Sequence, residues 1–174
     1  MSNNSDREVD KLLSAFSSGQ LSRKDLVRAI RGNSQTESSV PDLLSRVFSG
    51  IPLRWHSVSV PIEHLVATEV QLERRKYRLV TALFPDADTF EKNDKELFPG
   101  FPLMGISLGD GRVAIIDGHH RIRRFFEIAT PDSTLEIKIL TSADPRVHES
   151  YQRQVETVEE ANGSASIFLL PIKP

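Results

Sequence analysis

Residues 113–127 read VAIIDGHHRIRRFFE, and the fold turns on how this stretch is parsed. An apolar run, Val113 to Ile116, has the length and branching of a buried strand. Asp117 and Gly118 break it. Ile122, Phe125 and Phe126 then recur at helical spacing, so a helix is expected to start at the glycine. A strand that stops on a glycine and turns straight into a helix presents unpaired backbone N–H groups at a partially positive helix end. Phosphate suits such a corner, and Gly118 lets it approach the backbone closely. Arg121 lies in the first turn, where its fork of donors fits phosphate oxygens. His119 and His120 add donors and a titration near neutrality. Asp117 opposes bare phosphate but suits a magnesium ion bridging to it. The plainer alternative is an Asp-Gly turn, with Asp117 as a helix cap and the histidines on the surface. A two-histidine zinc site is disfavoured, because neighbouring helix positions point about 100° apart.

Outward from this corner, strands and helices alternate irregularly. Residues 103–108 and 112–116 form an expected hairpin around Gly109-Asp110-Gly111. Strands are expected at 55–60, 135–140 and 167–170. A helix is expected from about 69 to 84, with Thr68 and Gln71 at capping-box spacing. Residues 86–102 read as loop, and 148–161 as a polar, exposed helix. The fold class is therefore α+β with a mixed sheet. Residues 1–50 look like a helical segment of separate character. Val9, Leu12, Leu13 and Phe16 mark one helix, Ser22 and Asp25 cap a second, and Pro41 opens a third. A flexible linker is expected at 33–40. Residues 51–174 make up the expected main domain, which should fold and bind ligand without the first 40 residues.

Composition narrows the function. The 174 residues carry 39% hydrophobic and 26% charged side chains, as in an ordinary globular protein. The chain has no cysteine, which excludes thiol catalysis, disulfides and zinc-thiolate sites. A net charge of −2 gives no general pull toward nucleic acid or anionic membrane. Nothing approaches the roughly 20 apolar residues of a membrane span, and the polar start has no signal-peptide core, so a cytoplasmic protein is expected.

The corner and the order of elements over residues 55–140 resemble the ParB/sulfiredoxin superfamily, whose members bind nucleotide phosphates at this position. Sulfiredoxins carry a catalytic cysteine where this chain has His119, so their sulfinic-acid chemistry is excluded. Chromosome-partitioning members read Gly-Glu-Arg-Arg, against Gly118-His119-His120-Arg121 here. Free serine kinases read Asp-Gly-His-His-Arg, which Asp117 to Arg121 match in full. They also carry a glutamate after a Val-Pro segment, as Glu69 follows Val60-Pro61. The resemblance implies a phosphotransferase that uses ADP or ATP with magnesium and acts on a small hydroxyl compound. Gly118, His119, His120 and Arg121 would hold the phosphates, Asp117 the metal, and Glu69 would be the general base, with Asp117 and His119 also catalytic. Glu69 has a plainer role as a helix-dipole acid in a first turn. The alternatives are a nucleotide- or DNA-binding regulatory module, a nuclease, or an effector with this fold. DNA contact is possible but not favoured.

Overall fold

Gly118 occupies the left-handed region at φ 98°, and a Cβ there would lie 2.6 Å from Leu103 Cδ2. No other residue type fits this turn without strain, which is why the strand stops and the helix starts here. The computed structural model describes residues 4–32 and 40–173, so the expected linker at 33–40 lies outside the described residues except for Val40, which begins a helix. The first part of the chain forms α1 (Asn4–Ser17), α2 (Arg23–Arg31) and α3 (Val40–Val47). Then come β1 (Arg54–Pro61), β2 (Leu65–Val66), β3 (Leu72–Glu73), α4 (Arg74–Leu83), α5 (Ala87–Leu97), β4 (Met104–Ser107) and β5 (Val113–Asp117). The corner leads into α6 (His119–Ile128), followed by β6 (Thr134–Thr141), α7 (Pro145–Asn162) and β7 (Ile172–Lys173).

The expected α+β class with a mixed sheet is what forms. Five strands lie in the order β1-β6-β4-β5-β2, and β3 pairs with β7 in a separate two-stranded ribbon. β4 and β5 are the antiparallel hairpin, while β4 runs parallel to β6 and β2 parallel to β5. Met104, Gly105 and Ile106 are all buried, as are Val113, Ala114 and Ile115. Consecutive buried residues mean that these central strands are covered on both faces, which explains their unbroken apolar runs. One cover is α7, which packs on β4 and β5. Its Val147, Tyr151, Val155 and Val158 are buried, so the helix expected to be polar and exposed has a core-facing stripe. Among the described residues, no helix is long and apolar enough to cross a membrane.

Three expectations fail for identifiable reasons. The stretch 86–102 is not mainly loop. Asp86 accepts the Thr89 amide at 2.7 Å and caps α5, which buries Phe90 and Leu97. Phe90 lies 4.7 Å from Phe84 and 4.8 Å from Phe125, ring centre to ring centre, which ties α5 to the end of α4 and to α6. Residues 69–73 do not begin a helix. The Thr68 hydroxyl, expected to cap one, donates instead to Ile115 O at 2.7 Å, and α4 starts only at Arg74. The strand expected at 167–170 is instead a single 3₁₀ turn, Ile167–Leu169, and the pairing passes to Ile172 and Lys173.

The N-terminal helices share the core. Val9, Leu26, Val27, Ile30 and Leu44 belong to the same buried cluster as Leu79, Val80 and Phe125. α1 and α2 both lie on α4, and Arg75 Nη1 donates to Ala29 O at 2.9 Å.

Candidate functional site

All six residues singled out in the sequence, Glu69, Asp117, Gly118, His119, His120 and Arg121, line one cavity of about 300 Å³. Five of them are consecutive, so the informative arrival is Glu69. It reaches the corner from the link between β2 and β3, not from a helix, and its role as a first-turn dipole acid therefore lapses.

His119 is buried, with 3% of its surface exposed. The Thr68 amide donates to its Nε2 at 3.1 Å, which leaves the ring proton on Nδ1. Nδ1 lies 3.4 Å from Glu69 Oε1. Burial, helped by the neighbouring His120, drives the His119 pKa down to about 3. His120 takes the Glu73 amide on Nε2 at 2.9 Å, and its pKa falls to about 4, mainly through burial and then through Lys76. Both rings are thus neutral at physiological pH. They act as fixed hydrogen-bonding posts that lash the β5–α6 corner to residues 68–73, and neither titrates near neutrality as the isolated side chain would.

Arg121 is 5% exposed and makes three hydrogen bonds to protein acceptors. Nη1 donates to Asp94 Oδ1 at 3.0 Å and to Oδ2 at 3.3 Å, and Nη2 donates to Phe101 O at 2.7 Å. The guanidinium lies 4.3 Å from the Phe98 ring centre, and Nη2 is 3.9 Å from Asp117 Oδ2. Burial raises the Asp94 carboxyl pKa, while Arg121 pulls it back. The guanidinium is therefore locked in place, with part of it facing the cavity.

The Glu69 side chain keeps 51% of its exposure, yet its pKa is raised, first by loss of water on the cavity side. Lys76 opposes the shift, and Asp117 and Glu73 add to it. A carboxylate tuned upward, held beside an N–H donor and open to a cavity, has the properties of a general base. At the start of α6, no side chain caps the helix at Gly118, and the first intrahelical acceptor, Gly118 O, is taken by Ile122. The amides of His119, His120 and Arg121 are the orphan donors of this end.

Sequence reasoning missed Asp94, Phe98, Phe101, Lys76 and Arg31, which also border Arg121 or the cavity. Asp94 left no local signal, because its partner is distant in the chain and its helix has few apolar residues. Arg31 and Ile30 come from α2, which had been assigned to a separate segment. No protein-family model, no curated protein and no solved structure matches the chain.

Proposed function

We propose that this protein is a nucleotide-dependent phosphotransferase of ParB/sulfiredoxin-like type, acting on the hydroxyl group of a small molecule with ADP or ATP as donor. The observation that carries this reading is the meeting of an acid of raised pKa, Glu69, with the uncapped end of α6 and Asp117 in one cavity. Amides, a neutral His120 and one edge of Arg121 give the donor phosphates a set of N–H groups whose positions are fixed before binding. Asp117 lines the same wall and offers the carboxylate oxygens that magnesium prefers, and the ion, when bound, would offset phosphate charge. Glu69 accepts the proton of the acceptor hydroxyl. That oxygen bonds to the terminal phosphorus of the donor, and the bond from this phosphorus to the bridging oxygen breaks, releasing AMP or ADP. His119 Nδ1 stands 3.4 Å from Glu69 Oε1, and because burial keeps the ring neutral it does not compete for the transferred proton.

A thermal-shift series with ADP, ATP, CTP and GTP, each with magnesium, tests the binding step. A ligand at 100 times its Kd should stabilise by about 2.7 kcal/mol. Nucleotides that bind are then incubated with small hydroxyl compounds and followed by phosphorus NMR. New phosphomonoester resonances support the transferase. Nucleotide binding without transfer to any acceptor would leave a binding module in its place, and no shift with any nucleotide would end the phosphate reading.

A further inference from the structure

We propose that the outer edge of β1 pairs with β1 of a second copy of this chain, joining the two sheets across a two-fold axis at Ser57. No β1 residue lines the cavity of the candidate site, so the inference stands apart from the phosphotransferase reading. The two ends of the sheet differ. At one end β2 is two residues long and its outer side is taken, since Val66 bridges to Ser166 and the Ala67 amide donates to Ala165 O at 2.8 Å. At the other end β1 runs for eight residues in unbroken register with β6, and among the described residues no strand pairs with its second edge. Arg54, His56, Ser57, Val58 and Ser59 are exposed. Val58 sits opposite the buried Ile137, yet 37% of its surface meets water. Natural edge strands are commonly blunted by lysine, by proline within the strand or by a bulge. Between Arg54 and Pro61, β1 has none of these.

Two hydrogen bonds show which groups of β1 face outward. Lys138 lies opposite Ser57 and sends its amide to Leu103 O, on the side away from β1. The Ile62 amide donates to Ser133 O, toward the β6 side. Bonded and non-bonded pairs alternate along an antiparallel ladder. His56, Val58 and Val60 therefore bond to β6, while Trp55, Ser57 and Ser59 direct their N–H and C=O groups outward. Pro61 has the same parity but no N–H, and it ends the row. This row is complementary to its own reverse. Ser57 meets Ser57 of the second copy, and Trp55 meets its Ser59. A register shifted one way sets Trp55 against Pro61, and shifted the other way sets Ser59 against Leu53, outside the strand. In the centred register His56 covers Val58 of the second copy, and no like charges face each other. The contact uses up the open edge of both copies, so assembly stops at a dimer.

The test is sedimentation velocity of the full chain across a concentration series, as wild type, Ser57→Pro and Ser57→Lys, with the β1 amides of each followed by hydrogen exchange in NMR. Ser57→Pro removes an N–H that the protomer's own ladder does not use. Ser57→Lys sets two ammonium groups against each other at the axis. We expect wild type to sediment with twice the mass of the chain, and its Trp55, Ser57 and Ser59 amides to be protected together with those of His56 and Val58. Both variants should sediment as single chains in which His56 and Val58 stay protected while Trp55 and Ser59 exchange rapidly. A wild type that remains a single chain, or whose Trp55, Ser57 and Ser59 amides exchange rapidly in the dimer, overturns the inference. A dimer that persists in Ser57→Lys overturns it as well. Should Ser57→Pro not fold, Ser57→Lys decides, because it leaves the backbone donors of the strand intact.

Discussion

Arg121 and Asp94 bring opposite charges together where almost no water reaches, and this alters what a substitution at Arg121 would report. As a phosphate ligand and nothing more, Arg121 would be replaceable by alanine with loss of binding and no loss of fold. With Asp94 left buried and unpaired, removing the guanidinium should instead cost about 3–5 kcal/mol. Urea unfolding of Arg121→Met should show this loss, and adding Asp94→Leu should restore much of it, because the pair is then replaced by apolar groups. A single variant that unfolds like wild type would contradict the coupling. Glu69 gives the cleaner functional probe. It belongs to no helix and its side chain is half exposed, so Glu69→Gln should leave stability nearly unchanged. Under the proposed phosphotransfer, turnover should fall about 10²–10⁴-fold, while nucleotide affinity, which the proposal assigns to the α6 corner, barely moves. Rapid-quench rates alongside calorimetric Kd values separate the two effects. Equal losses in both would remove Glu69 from the role of base.

α6 owes its place to two neutral imidazoles at its first turn, and acid should release it. Both histidines have folded pKa values, about 3 and about 4, below the ordinary 6.5. Their contribution is therefore complete above pH 6.5 and declines as pH falls from there toward 4, while the unfolded chain takes up protons that the folded one refuses. Each histidine adds a slope of about 1.4 kcal/mol per pH unit over that window. Denaturant unfolding between pH 7 and 4.5 should follow this fall, and His120→Gln, which keeps an acceptor for the Glu73 amide, should flatten it by roughly half. A pH-independent midpoint would mean that the rings are not buried neutral. This element was also the most legible in the sequence, since the apolar strand, Gly118 and the spacing of Ile122 and Phe125 are all local signals. The β4–β5 hairpin and the α2 capping box were legible on the same ground. The start of α4 was not, because Thr68 had correct local spacing for a cap but bonds to Ile115 and His119, which are far along the chain. α5 shows the complementary failure. Asp94, its buried charge, is explained only by Arg121.

At the scale of the molecule, the cavity draws on α2, the β2–β3 link, α4, the residues after α5, and the β5–α6 corner. A division after residue 50 follows composition, but apolar packing crosses it: Val9, Leu26, Val27 and Ile30 have at most 8% exposure. Deleting residues 1–39 should strip α4 of its cover and remove Arg31, giving a protein with a lower, broader thermal transition and exposed apolar surface. Binding of a hydrophobic dye and circular dichroism would detect this, and a truncation that melts as sharply as the full chain would restore the separate-segment view. The same long reach governs β1. Its register pairs Arg54 with Thr141 and Pro61 with Thr134, and among the described residues β6 is its only neighbour in the sheet. While the chain is being made, β1 leaves the ribosome with both edges bare and must wait for β6. At about 5–20 residues per second the wait is roughly 4–16 s. During that interval the strand is open to pairing with other nascent chains, so the yield of native protein should depend on translation speed and on chaperones that shield β-edges.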